Sequence, residues 1–154
     1  MYSSIFQISA EPITEENYIK ESRYNEFELG YQHMDYVVKS ESREDDIRWL
    51  RDIKGLEVTE DTITVVSKKE YFEESFKNFQ EFVKKFNNYT IDDFIEPGKS
   101  KLDFIDLRDA YDDKMDFKVD DNDEYFGLVS LDEFVRNAEE GKVYYIGKTF
   151  DYHF

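Results

Sequence analysis

One stretch of this sequence commits the chain to a long helix. Five large apolar residues recur there at intervals of four, three, four and three: Phe72, Phe76, Phe79, Val83 and Phe86. That spacing places them in one stripe along a helix. Ser67 and Glu70 precede the stripe with the spacing of a capping box, in which each side chain accepts from the other residue's backbone N–H. The pattern predicts a helix over 68–87 whose aromatic stripe faces the core.

Shorter elements surround this helix. β-Branched residues flank a polar pair in 56–66 and predict a hairpin, and a second hairpin is predicted where 115–119 and 124–129 flank an acidic turn. Helical and strand patterns follow one another without a regular strand-helix-strand order. This favours a single α+β domain over residues 1–154, with a mainly antiparallel sheet, the long helix 68–87 and several shorter helices.

Two of the shorter helices bear on function. Thr90 and Asp93 indicate a short helical turn that runs through Ile95. A further helix is predicted over residues 102–112, where three apolar residues with helical spacing are expected to face inward: Phe104, Leu107 and Tyr111. The aspartates of this helix fall on its opposite side and recur every three residues, so neighbouring carboxylates lie roughly 5–6 Å apart.

Net charge is the strongest functional indication. The chain has 37 acidic residues against 20 basic ones, a net charge of −17, and residues 103–124 alone hold ten carboxylates against three basic side chains. Like charges this close destabilise a helix, which points to a functional reason for them. Spaced carboxylates can imitate a nucleic-acid backbone and occupy the basic groove of a protein that binds it.

Eight aspartates are the predicted contacts with such a basic partner: Asp103, Asp106, Asp109, Asp112, Asp113, Asp120, Asp121 and Asp123. Changing four of them to asparagine is expected to weaken binding while leaving the helix intact or more stable, because like-charge repulsion is removed. The alternative interpretation is a solvated acidic face that keeps the protein soluble.

Other classes of function are disfavoured by what the sequence lacks. It has no cysteine, hence no disulfide, thiolate nucleophile or sulfur-ligated metal. Its residues form no phosphate-binding glycine loop and no G-x-S-x-G nucleophile elbow. A calcium-loop pattern over 122–133 fails because Phe126 occupies a ligand position. We therefore predict no cofactor, no metal site and no catalytic residue.

Location and direct ligands follow from the same composition. The N-terminus lacks the features of a signal peptide, and no apolar run reaches the roughly 20 residues of a membrane span. The expected location is the cytoplasm, without membrane attachment. Direct nucleic-acid binding is disfavoured, because an acidic surface repels phosphates.

Three hypotheses of function remain. The first is a protein that acts by protein–protein interaction, such as an inhibitor or nucleic-acid mimic that binds a basic partner. The second is a carboxylate-based hydrolase or divalent-cation-binding protein, which requires a pocket that gathers two or three acids. The third is a structural subunit of an assembly, which predicts an exposed apolar patch larger than a few hundred Å². No known family is identified by these motifs, and the oligomeric state is not predicted.

Overall fold

The computed structural model describes residues 2–22, 24, 36–96, 98–111, 117–120 and 128–153. Seven strands lie within these residues and belong to one sheet. Their bounds are β1 Tyr2–Ser9, β2 Tyr36–Lys39, β3 Leu56–Val58, β4 Thr62–Val65, β5 Phe117–Asp120, β6 Leu128–Ser130 and β7 Val143–His153.

The sheet is built around β7, its longest strand. The strand order is β3-β4-β7-β1-β5-β6, and β2 also pairs with β7. Along one edge of β7, β4 pairs with residues 143–145 and β2 pairs with residues 150–153, while β1 occupies the other edge. Of the pairings in the described residues, only β1 with β5 is parallel. The predicted α+β fold with a mainly antiparallel sheet is confirmed, and so are the two predicted strand pairings, β3 with β4 and β5 with β6.

Helices occupy five segments of the described residues, together with a 3₁₀ turn at Glu15–Asn17. Their bounds are α1 Arg43–Arg51, α2 Lys68–Asn87, α3 Ile91–Ile95, α4 Lys99–Tyr111 and α5 Leu131–Asn137. Helix α2 has its predicted bounds, and its first turn is capped by the Ser67 side chain, whose Oγ accepts from the Glu70 backbone N–H at 3.2 Å. This hydrogen bond satisfies one of the first backbone N–H groups of the helix, which have no partner within the helix itself.

Two apolar cores lie on the two faces of the sheet. Successive strand residues point to opposite faces, and in β1 Phe6 therefore joins one core while Ile5 joins the other. The first core packs against Ile47 and Leu50 of α1 and Val135 of α5. The second is formed by Ile5 with five further side chains: Ile19, Tyr24, Val37, Phe150 and Tyr152. The sheet is thus covered on both faces without any buried contribution from α2.

The prediction that the aromatic stripe of α2 faces the core is wrong beyond its first turn. None of the 20 residues of α2, all within the described part of the chain, is buried. Phe72 packs against the first core, whereas Phe76 is more than half exposed and Phe79 contacts Tyr111 of α4 at 6.2 Å between ring centroids. Helical periodicity selects one face of a helix but not what covers it, and here the cover is a second helix.

Candidate interaction surface

Helices α2, α3 and α4 form a unit that we call the helical arm, residues 68–111. Its base is the first turn of α2, which is bound to the region of α5. The Tyr71 hydroxyl donates to Asp132 Oδ1 at 2.7 Å, and Lys68 Nζ donates to the Arg136 carbonyl oxygen at 2.7 Å. Asp132 is fully buried, so the hydrogen bond from Tyr71 anchors the arm to the interior of the sheet domain.

Arg136 of α5 contacts both the start of α2 and the end of α4 at this base. Its guanidinium lies 4.6 Å from the ring centroid of Phe72 in α2 and 4.4 Å from that of Tyr111 in α4. It also donates from Nη2 to the Tyr111 carbonyl oxygen at 2.5 Å. A planar cation between two aromatic rings interacts with both quadrupoles, and the start of α2 is thereby held beside the end of α4.

A buried carboxylate joins the two long helices near the other end of the arm. Asp103 of α4 is only 6% exposed, and its oxygens accept from Lys85 Nζ and from the Tyr89 hydroxyl. Asp103 and Leu107 are four residues apart and share the inward side of α4. The prediction that Phe104 faces inward is wrong, because Phe104 is 62% exposed. Tyr111 lies on the same side of α4 as Asp103 and Leu107 and contacts Phe79 of α2, although it is more than half exposed. A charged pair across the helices decides this orientation.

The predicted acidic contacts differ in how available they are to a partner. Asp103 is buried and its carboxylate is engaged, so it is not available to a partner. Asp106 is exposed, and Asp109 accepts from Arg108 at 2.7 Å and 3.0 Å. Asp112, Asp113, Asp121 and Asp123 lie outside the described residues, and only the backbone of Asp120 is described, in β5. Partner binding by these acids stays a prediction.

Helix α3 turns its apolar side to the solvent. Ile91, Phe94 and Ile95 stand at positions i, i+3 and i+4 and therefore share one face. All three are between 66% and 72% exposed, and we call them the apolar tip. Leu102 and Phe104 of α4 are also exposed, but they flank the buried Asp103 and point to opposite sides of α4. Apolar residues with this spacing are ordinarily the buried side of a helix. This helix has the reverse arrangement.

Polar contacts hold α3 in that orientation. Thr90 and Asp93 form a reciprocal capping box, with the Thr90 N–H donating to Asp93 Oδ2 at 3.0 Å and the Asp93 N–H donating to Thr90 Oγ1 at 3.2 Å. Lys99 of α4 forms an ion pair with the same carboxylate. Hydrogen bonds from Lys99 and Thr90 hold the pKa of Asp93 well below its usual range. The polar side of α3 thus faces α4, and the apolar side is left outward.

The apolar tip is as large as the main apolar patch of many monomers. At roughly 200 Å² for a fully exposed large side chain, its three members present on the order of 400 Å². The largest apolar patch of a typical monomer is about 300–600 Å² and is often functional. Reasoning from the sequence recognised the helical turn through Ile95 but missed this surface, because spacing shows which residues share a face and not whether that face is covered.

A second candidate site lies on the sheet, where two carboxylates approach each other. Ser4 of β1 pairs with Asp151 of β7, so their side chains lie on the same face. Helix α1 places Asp46 over that face, where Asp46 Oδ1 accepts from Ser4 Oγ at 2.8 Å. Burial, and after it the negative charge of Asp46, raises the pKa of Asp151. Among the described residues, however, no group of three or more histidine or acidic side chains is arranged to hold a metal ion.

The raised pKa of Asp151 gives a pH prediction. A group that binds its proton more tightly in the folded state stabilises the fold most below its unfolded pKa, near 3.8, and this contribution is lost as the pH rises through the raised value. We therefore expect Asp151→Asn to be at least as stable as the wild type at neutral pH. On acidification towards the unfolded pKa the wild type should gain relative to the variant, as measured by urea unfolding at several pH values.

The matched control for that series is Asp52→Asn, a neutralisation at an exposed aspartate that ends α1. The stability of the wild type relative to Asp52→Asn should not rise in this way on acidification. Parallel pH profiles of Asp151→Asn and the wild type would contradict the raised pKa of Asp151.

No protein family, no curated protein and no solved structure matches this chain. Within the described part of the chain, no helix has the length and apolar character required to cross a bilayer. The apolar tip, the acidic surface and the carboxylate pair are the features of the molecule that bear on its function.

Proposed function

We propose that this protein acts by binding another protein rather than by catalysis. The observation that carries the proposal is the apolar tip, which presents to solvent three large apolar side chains of one short helix. Large apolar side chains that are held outward by an organised set of polar contacts are typical of interaction surfaces. The carboxylate pair of Asp46 and Asp151 is the only comparable support for the hydrolase hypothesis in the described residues, and it lacks a third ligating group.

Charge supports a basic protein as one partner. The helical arm has ten acidic and eight basic residues, which leaves 27 acidic and 12 basic residues for the rest of the chain. We refer to that remainder as the acidic body, and it holds 15 of the 17 net negative charges. A field of this strength attracts cationic surfaces and accelerates their association. We propose an inhibitor or decoy, in the cytoplasm, for a nuclease or another nucleic-acid-binding protein.

Affinity capture from a lysate of the source organism, read by mass spectrometry, tests this partner. We expect one basic nucleic-acid-handling protein at low salt, released by raised salt and by added DNA, because both compete for the same charges. A variant with Asp112, Asp113, Asp121 and Asp123 changed to asparagine should capture much less of it. Asp103 is left unchanged in this variant because its carboxylate is structural.

The matched control removes four charges elsewhere on the acidic body, at the exposed residues Glu15, Glu16, Glu57 and Glu60, each changed to glutamine. This variant should retain capture. If both variants capture equally little of the protein, only net charge matters for binding, and the assigned contacts are contradicted. Recovery of no protein that DNA displaces would contradict the basic partner altogether.

A second candidate function is that of a subunit in an assembly, and the apolar tip is the observation that favours it. This hypothesis predicts an exposed apolar patch of more than a few hundred Å², and the roughly 400 Å² of the tip supports it. The two candidates use different surfaces, the acidic body and the tip of the arm, and one molecule can serve both.

A further inference from the structure

We infer that the helical arm opens and closes as one cooperative unit while the acidic body stays folded. Arg136, which contacts both ends of the arm, is the latch that this opening must release. The opening is a property of the fold, and it depends neither on the basic partner nor on the assembly candidate.

The helical arm buries almost none of its own side chains. Among its described residues, Asp103 alone is buried. Strand β1 has only eight residues, yet five of them are buried. Segments with few buried apolar contacts open at a lower free energy than the core does. The arm is a long segment of this kind, because it runs from residue 68 to residue 111.

The acidic body has apolar cores that do not depend on the arm. The buried members of both cores come from the strands, from α1 and α5 and from the segments beside them, and none comes from the arm. Tyr71 and Phe72 of α2 are only partly buried against the first core. The arm is also one continuous stretch of chain between β4 and β5, so it can open without separating any two strands of the sheet.

Polar contacts within the arm join its three helices to one another. Asp103 of α4 accepts from Lys85 in α2 and from Tyr89 just after it. Lys99, also of α4, forms an ion pair with Asp93 of α3. If α4 leaves, both α2 and α3 lose a partner, and the three helices are therefore expected to open together.

The base of the arm holds it closed against the acidic body. The Arg136 guanidinium lies 4.6 Å from the ring centroid of Phe72 and 4.4 Å from that of Tyr111. The hydrogen bond from the Tyr71 hydroxyl to Asp132 lies beside this contact. Because Phe72 and Tyr111 stand at the two ends of the arm, an opening of the whole arm separates Arg136 from both rings. Loss of the guanidinium should therefore favour the open state.

The closed arm is the state that presents the apolar tip. Thr90 and Lys99 hold Asp93 and so keep the apolar side of α3 outward. An open arm loses this arrangement, so a protein that binds the tip binds the closed state and increases its population. This consequence rests on the proposed function, whereas the opening itself does not.

Hydrogen exchange of the full chain, followed by mass spectrometry of its peptides, tests the opening. We expect the best-protected amides of α2 and α4 to share one protection factor, roughly tenfold or more below that of β1 and β7. Exchange of the arm should also respond less steeply to urea, because its opening exposes less surface than global unfolding does. Different protection of α2 and α4, or equal protection of the arm and the sheet, would overturn the inference.

Two variants separate the arm from the acidic body. Arg136→Gln should lower the protection of the arm roughly tenfold, because the guanidinium leaves both rings. Ile5→Val, in the second core, should lower the protection of β1 and β7 roughly fivefold and leave that of the arm unchanged. Arg48→Gln is the matched control for loss of an arginine, since Arg48 is exposed on α1 and lies outside the arm. It should change neither protection factor.

The variants also give the contrary outcomes. If Ile5→Val lowers the protection of the arm as much as that of the sheet, the chain unfolds as one unit and the inference fails. Unchanged protection of the arm in Arg136→Gln would contradict the latch. None of these measurements involves a partner, so the opening of the arm and the proposed function can fail separately.

Discussion

Gly55→Ala is expected to destabilise the protein by about 3 kcal/mol, from backbone strain and overpacking together. Gly55 has a φ of 78°, in the left-handed region, and a Cβ built there would lie 2.3 Å from the Ser67 carbonyl oxygen and 2.8 Å from the Tyr71 nitrogen. Both neighbours are backbone atoms, which cannot rotate away. The Gly55 carbonyl oxygen also accepts from the backbone N–H groups of Val66 and Ser67. The substitution would therefore displace the start of α2, on which the whole arm depends.

The matched control is Gly141→Ala. Gly141 has a nearly equal φ of 80°, but nothing lies within 4 Å of the Cβ that alanine would add. Gly141→Ala should destabilise the protein by only about 1 kcal/mol, which is the cost of placing alanine in the left-handed region. Urea unfolding of both variants isolates the effect of the close approach between Gly55 and the first turn of α2. Equal losses of stability would show that this approach does not govern the position of the arm.

Asp103→Ala is expected to destabilise the protein by about 2 kcal/mol, because two polar groups lose a charged acceptor that is buried between helices. The groups are Nζ of Lys85, which lies in α2, and the hydroxyl of Tyr89, which lies just after α2. Lys85 is about half exposed and can regain water, which limits the loss. Thermal and urea unfolding measure the effect.

Asp106→Ala, at an exposed position on the same helix, should change stability by no more than about 0.5 kcal/mol. The contrast reverses the expectation from sequence at position 103, where neutralisation was predicted to leave the helix intact or more stable. If Asp103→Ala proves as mild as Asp106→Ala, the carboxylate does not hold α4 against α2, and the orientation of α4 has another cause.

The elements that were predicted correctly depend on residues close together in the chain. Helix 68–87 follows from an apolar period, a side-chain cap at Ser67 and lysines in the last turn. The hairpin of β3 and β4 follows from β-branched residues on both sides of a short turn. These signals act within one turn of helix or one pair of strands, so neighbouring residues are sufficient to read them.

The predictions that were wrong or missing concern which segment covers each face of a helix or of the sheet. Phe104 was assigned to the inward side of α4 and Asp103 to the outward side, but Asp103 lies inward because Lys85 and Tyr89 stand opposite it. The carboxylate pair was also missed, since Asp46 and Asp151 are 105 positions apart and meet only through the register of β1 with β7. A charge or an apolar side chain is stabilised by its surroundings, and these come from distant segments.

For this protein, local sequence is enough to determine the bounds of α2, the pairing of the hairpins, the α+β class and the strongly negative charge. Tertiary structure decides the rest: that α2 is covered by a helix and not by the sheet, that Asp103 is a structural carboxylate, and that Ile91, Phe94 and Ile95 face the solvent. The reason is that periodicity and capping arise within one segment, whereas burial requires contact between segments. The apolar side of α3 is exposed because the tertiary structure places no other described segment over it.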